Sequence, residues 1–371
     1  YVGSFLKRHV ALGPLGLDGI YRVDFSTGTA VVESWLELDD TLGIDIGQSL
    51  VPDILTRDLP TTLNGPSYDE LVYPLIATVG LGDVDLVSDE ALDPGGLSSD
   101  GWIDREFLLA VNLYSKDILV IDPASSQLIM TYNIPAPAPA CTNGTHRPWA
   151  VDYINGAMYV GLVCDGSDES VDAKNSRAVN SNLEAIVYRY DLTADLGAAT
   201  IPAAPTVVPE TVLRFALDYE KGSVWTRTND RCLDESNWHP WRDDVPPSSL
   251  SGRREKCWPI PILADIDFSD EGNMLLAFMD RSTHQWGWLN YSIDRSDSRL
   301  YSNMSGGDLL MACLDGNGDF ILENNGACGN LASANPTNRN EGPGGREFFY
   351  GDSWPHESSN GHLETANNGI A

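Results

Sequence analysis

Short apolar runs broken by compact polar turns recur along most of this chain. Ile20–Asp24 is followed by Ser26-Thr27-Gly28 and then by 30–36, a run rich in β-branched and aromatic side chains. The unit returns at 107–113, 117–122 and 127–133, and again at 150–153 and 158–163, the last two flanking Asn155-Gly156. Apolar runs of this length, bounded by Gly, Asn and Asp, predict strands joined as hairpins. Asn-Gly is a strong tight-turn pair because both residues tolerate positive φ. No long amphipathic helix is evident, and only 46–56 has room for a short one.

Three stretches echo one another. Gly82-Asp83-Val84-Asp85-Leu86, Trp149-Ala150-Val151-Asp152-Tyr153 and Ala264-Asp265-Ile266-Asp267-Phe268 each precede a strongly apolar strand. A four-stranded sheet repeated every 50–65 residues or so is the spacing of propeller blades with long loops. Radial stacking of blades would bury both faces of each sheet, which accounts for strands apolar on both sides. The reading is one all-β domain over 1–371, a β-propeller of about six or seven blades. Its long loops are stapled by disulfides; insertions fall near 39–80, 228–258 and 325–345, of which 228–258 reads as a stapled surface loop, and 134–140 forms an extended Pro-Ala connector.

Charge narrows the partners. The 371 residues carry 54 acidic and 23 basic side chains, a formal charge of −31. That balance leaves no basic footprint for a nucleic acid and repels an anionic membrane surface. No run approaches the length of a membrane span, so membrane insertion is not expected. The 37 Asp against 17 Glu suit turns and caps rather than helices, and Arg outnumbers Lys by 18 to five.

Candidate chemistry is sparse. Six cysteines, Cys141, Cys164, Cys232, Cys257, Cys313 and Cys328, form no CxxC and no zinc-spaced cluster. They allow 15 disulfide connectivities, and the simplest joins sequence neighbours: Cys141–Cys164, Cys232–Cys257 and Cys313–Cys328. Buried free thiols in a cytosolic protein are the alternative. Sequons place glycosylation candidates at Asn143, Asn290 and Asn303, a number that composition alone would produce. Asp315-Gly316-Asn317-Gly318-Asp319 has oxygen ligands spaced for calcium, but reads better as a hairpin turn. Asp352, His362 and Glu364 make a second polar cluster that could take an ion, calcium being the cation such an acidic surface would hold. Asp85, Asp152 and Asp267 either line a central channel or bond backbone N–H groups in the turns after their strands. Trp238, Trp241, Trp286 and Trp288, with Trp225 and Trp258, crowd one stretch and could stack on sugars or anchor a partner, or else pack between blades. No nucleophile, metal or phosphate-loop motif is present, so no catalytic residue and no cofactor is assigned.

Several stretches carry a family resemblance. They include Phe5-Leu6-Lys7-Arg8-His9-Val10, Gly19-Ile20-Tyr21-Arg22-Val23-Asp24, Leu42-Gly43-Ile44-Asp45, and Val79-Gly80-Leu81-Gly82-Asp83-Val84-Asp85. Ala140-Cys141-Thr142-Asn143-Gly144, Val160-Gly161-Leu162-Val163-Cys164-Asp165, Gly307-Asp308-Leu309-Leu310 and Phe348-Phe349-Tyr350-Gly351-Asp352 continue them. The chain resembles the propeller-like region of very large secreted surface proteins, where it lies beside tandem SdrD-B-like repeats. The resemblance implies a Cys141–Cys164 bridge, an extracellular location and a structural or adhesive role, and it carries over no catalytic residue. Such regions continue past the equivalent of Gly369-Ile370-Ala371, so a segment of a longer protein is expected, with the propeller closed by residues beyond it. The expectation is a non-enzymatic module of a surface filament, appendage, sheath or adhesin, bound to other protein subunits or to its own copies. Two alternatives stand beside it: a glycan-binding lectin-like propeller, and a propeller enzyme with an unrecognised site.

Overall fold

A computed structural model describes residues 1–349 except 61, 63, 64, 89–91, 93–104, 177, 179, 181, 222–235, 248–254, 304–305 and 334–340. The chain opens with β1 (Val2–Gly3), β2 (Gly19–Asp24) and β3 (Val31–Glu37), a three-stranded sheet that runs into a short helix α1 (Leu38–Leu42). A four-stranded meander follows: β4 (Leu81–Ser88), β5 (Glu106–Asn112), β6 (Asp117–Asp122) and β7 (Gln127–Asn133). The next is β8 (His146–Ile154), β9 (Ala157–Cys164), β10 (Glu184–Asp191) and β11 (Glu210–Ala216), with the helical turn α2 (Val171–Lys174) between β9 and β10. After β12 (Glu255–Lys256) come β13 (Pro261–Phe268) and β14 (Met274–Asp280). Helix α3 (Arg281–Trp286), β15 (Asn290–Tyr291) and β16 (Leu300–Asn303) intervene before β17 (Asp308–Leu314) and β18 (Phe320–Leu322) complete the fourth sheet. β12, β16 and β15 form a small satellite sheet, and β19 (Ala327–Cys328) pairs with β20 (Leu331–Ala332).

The first strands of three sheets, β4, β8 and β13, lie against one another around a common axis, and β1 packs on β4, with the isolated bridge Phe5–Gly80 just outside both strands. The sheets are thus set as propeller blades, four among the described residues and not six or seven. Asp152 and Asp267 are 115 residues apart, about twice the blade repeat, yet only one further blade begins in that interval. It holds the rest of one blade and then the long connection from β11 to β13. Chain length assigned to further blades goes into insertions at 43–80, 217–260 and 281–307.

Local sequence explains the strands well. β9 is buried at every position and β5 at all but Glu106, as radial stacking requires. Asn155 and Gly156 take φ of 50° and 81° and turn β8 into β9 with Ile154 opposite Ala157. Glycine is also required where blades touch: a Cβ on Gly82 would lie 2.8 Å from the Trp149 carbonyl oxygen. The Asp315–Asp319 segment is the hairpin turn between β17 and β18, closed by Asp315 N–H donating to the Asp319 carbonyl at 2.8 Å. Where a short helix had room, in 46–56, the chain makes one 3-10 turn, Gln48–Leu50.

Two disulfides have the expected partners, Cys141–Cys164 and Cys313–Cys328. Cys257 is also disulfide-bonded, and its expected partner Cys232 lies outside the described residues.

Candidate functional site

Antiparallel pairing decides which insertions meet. His146 at the start of β8 lies opposite Cys164 at the end of β9, and Pro261 at the start of β13 lies opposite Asp280 at the end of β14. The segments before β4, β8 and β13 and those after β9 and β14 therefore all emerge on one face. There, residues 5–9, the described part of 43–80, 237–247 and 281–303 are bonded to one another as a cap over the blades.

Buried arginines hold that cap. A guanidinium carries five donors in a fixed fork and can satisfy several backbone carbonyls at once, which an ammonium cannot. Arg8 donates to the carbonyls of Tyr68, Asp69, Gln285 and Tyr291. Arg281 donates to those of Ile76, Arg242 and Pro74 at 2.9, 2.9 and 3.0 Å, and to Asp243 Oδ1 at 3.1 Å. Arg57 is buried in a two-pronged pair with Asp69 and also donates to the Lys7 carbonyl. Insertions without regular ladders leave many carbonyls unpaired, and these side chains supply the donors. The Arg-rich composition thus has a structural cause.

The tryptophans are the partners of those cations. Trp241 lies between Arg281, 4.4 Å from its ring centroid, and Arg147 at 5.1 Å. Trp286 is faced by Arg8 and Lys256, Trp258 by Arg242, and Trp238 by Lys221. Desolvated cation–π contacts of this kind are among the stronger ones. Trp238, Trp241 and Trp286 are buried, so as candidate sugar or partner contacts they are corrected to core residues; Trp288 is exposed. Trp225 lies outside the described residues.

Between cap and blades is a cavity of about 350 Å³ lined by Thr78, Arg147, Ser167, Lys174, Trp241, Arg242, Asp243, Asp244 and Arg281. Four of the 23 basic side chains of this acidic chain converge on it. Arg147 is anchored by Nε, which donates to the buried Asp165 Oδ2 at 2.7 Å. Sequence reasoning did not foresee this site; the cluster Trp238-His239-Pro240-Trp241-Arg242 was its one local signal.

The repeated aspartates come together, though not at strand ends. Asp85, Asp152 and Asp267 lie within β4, β8 and β13, close enough to repel one another. Burial, then Asp85, Asp267 and Asp265, pushes Asp152 up to about 7. Burial and then Asp265 push Asp83 well up. Backbone N–H groups still engage them: Asp83 accepts from Val84 and Val151, and Asp267 from Phe268. Among the described residues, no group of three or more His, Cys, Asp and Glu side chains is arranged to hold a metal ion. Asp315 instead accepts from the N–H groups of Asn317 and Asp319, and its other oxygen from the Asn317 amide. Asp352, His362 and Glu364 lie outside the described residues.

Among the sequon asparagines, Asn143 is exposed in a turn with φ of 52°. Asn290 is buried, with its oxygen accepting from Ser67 N–H and its nitrogen donating to the Trp288 carbonyl. Asn303 is buried beside Ser282 and Lys256. A glycan on either would displace these bonds, so Asn143 alone of the three is open.

The buried acids make stability pH-dependent. Burial raises Asp308 and Glu323 to about 7 and Asp280 to about 6, alongside Asp152. A raised folded pKa means the fold keeps protons that the unfolded chain has lost, so stability falls as pH rises toward 8. His146, pushed down to about 4, His284, down to about 3, and His9, down to about 2, act oppositely, mainly below the ordinary histidine value of about 6.5. Lys256, lowered to about 8, adds stability only above that value. The melting temperature is expected to be higher at pH 7 than at pH 8, above the range in which the histidines act, by roughly 2 °C or more. The double variant Glu323→Gln/Asp152→Asn should flatten that slope, and an equal slope in it would refute the assignment.

No family model matches the chain. Three Dictyostelium discoideum proteins are similar to it along nearly its whole length. Colossin-B is 26% identical over 97% of this chain, Colossin-C 23% over 94% and Colossin-A 25% over 94%. The chain spans 8%, 28% and 2% of those proteins respectively, a small part of each. Among solved structures, an exo-1,5-α-L-arabinanase from a bovine ruminal metagenomic library aligns over 65% of this chain and 56% of its own, with 11% identity and a TM-score of 0.24.

Proposed function

We propose that the chain is a non-enzymatic, rigid interaction module of an extracellular assembly such as a surface filament, appendage, sheath or adhesin. The observation that carries this is the locked cap. Insertions that could have formed a mobile lid are held to the blades by buried arginines whose donors are engaged with backbone carbonyls. Such a face keeps its shape without a ligand, which favours presentation to a neighbour over cycles of opening.

Further support comes from the disulfides, which persist in oxidising compartments, and from the small share of each Dictyostelium relative that the chain covers. Neighbouring subunits, including further copies of this chain, are the partners this reading assigns. A contact burying roughly 1,200–2,000 Å² would make a stable specific interface. The net charge of −31 opposes random association, and salt relaxes that repulsion.

The test is cross-linking mass spectrometry of the native protein, isolated without reductant. Oxidised cysteines and recurrent cross-links from this region to other subunits are expected. Reduced thiols, or a native protein that cross-links only within itself, would overturn the reading.

A further inference from the structure

The cavity under the cap has the wrong walls for an apolar ligand and the right ones for a charged, hydroxyl-rich one. Its one aromatic, Trp241, has a guanidinium against its ring on the Arg281 side and another on the Arg147 side. Two of its four cations are structural. Every nitrogen of Arg281 is engaged with carbonyls or Asp243, and Arg242 is held by Asp244, the Lys174 and Val245 carbonyls and Asn175. The other two are not. Arg147 uses Nε on Asp165, while its two terminal nitrogens have no hydrogen-bond partner among the described residues. Lys174 donates to the Ser167 carbonyl at 2.8 Å and keeps two further donors.

Acceptors stand opposite these donors. Asp243 and Asp244 line the cavity with side chains 64% exposed, and each binds its arginine through Oδ1, which leaves Oδ2 able to accept. The Ser167 hydroxyl can donate and accept, and Thr78, whose hydroxyl donates to the Leu75 carbonyl, can still accept. Asp165 is fully buried and accepts from the N–H groups of Thr145 and Ser167 as well as from Arg147, so the arginine is fixed in place before any ligand arrives. Preorganised donors of this kind bind carboxylates well because little ordering remains to be done.

We infer that this cavity binds an acidic saccharide unit, its carboxylate on Arg147 and Lys174 and its hydroxyls on Ser167, Asp243 and Asp244. About 350 Å³ lies at the small end of ligand pockets, which suits one sugar ring with its neighbours in solvent. The mixture of donors and acceptors separates this ligand from a simple anion, which would gain nothing from Asp243 and Asp244. The assignment does not rest on the module reading: saccharide binding by a protein without partner subunits would remove that reading and leave the pocket.

The probe is a uronic-acid trisaccharide, with the neutral trisaccharide of the same linkage and a sulfated one as the other arms. Titration by calorimetry at low salt should give a dissociation constant for the uronate at least tenfold below that for the neutral sugar. Lys174→Gln and Ser167→Ala, both near the surface, should weaken uronate binding by about tenfold and about threefold at unchanged melting temperature. A preference for the sulfated sugar would move the ligand from carboxylate to sulfate ester and overturn the carboxylate assignment. Equal binding of neutral and uronate sugars, no heat with any arm, or full uronate affinity in Lys174→Gln would each overturn the site.

Discussion

Arg281→Ala is expected to destabilise the protein by about 3–5 kcal/mol, the range found when one partner of a buried charged network is removed. The side chain is 1% exposed. Its loss leaves the carbonyls of Pro74 and Ile76 without the donors described for them, and that of Arg242 with only the Gln285 amide at 3.3 Å, at about 1–3 kcal/mol for each that stays unsatisfied. It also strips Trp241 of its closer cation. In urea the midpoint should fall by roughly 1 M or more. Arg281→Lys should recover little, because one ammonium cannot reach three carbonyls set around a planar fork. A midpoint shift under roughly 0.3 M in Arg281→Ala would mean the cap is held by something else.

The same network shows why the sequence was legible in some places and not in others. Strands such as β5 and β9 can be read because all their side chains but that of Glu106 are buried, so local composition reports a local fact. The turns at Asn155-Gly156 and Asp315–Asp319 can be read for the same reason: the bonds that close them span only a few residues. Spacing between echoes was a weaker guide. It measures chain length, and chain length went into the cap as readily as into blades. The tryptophans were open between two readings, exposed contacts and packing in the core. Trp286 could be read either way in the sequence; its burial rests on cations from Arg8 and Lys256, and the Arg8 guanidinium reaches the Gln285 carbonyl across 277 residues of sequence. No reading of neighbours in sequence could supply that contact. The excess of Arg over Lys was visible from the start; what it signified, donors for carbonyls that no ladder satisfies, depended on knowing which insertions meet.

Arg57 and Asp69 test whether such burial stabilises the fold or specifies it. Their side chains are 1% and 0% exposed, and the pair is joined at 2.7 and 3.1 Å. Asp69 also accepts from His9 N–H at 2.8 Å, and Arg57 donates to the Lys7 carbonyl at 3.1 Å, so the pair fixes where the 7–9 segment docks on the insertion. Taking both charges out of water costs several kcal/mol per ion, and their attraction only offsets that cost. Asp69→Asn keeps the size and tolerates the left-handed backbone at φ of 37°, yet leaves a buried guanidinium unpaired. It is expected to lose about 3–5 kcal/mol. In Arg57→Met/Asp69→Asn the orphaned charge is gone, and only two neutral groups, the Lys7 carbonyl and the new amide N–H, are left unpaired, so the loss should shrink to about 1–3 kcal/mol. Urea midpoints of the two variants decide the matter. A double variant as unstable as Asp69→Asn would show that the attraction exceeds the desolvation cost. The expected recovery would show a pair that contributes little net stability and instead restricts the first residues of the chain to one docking position on the cap.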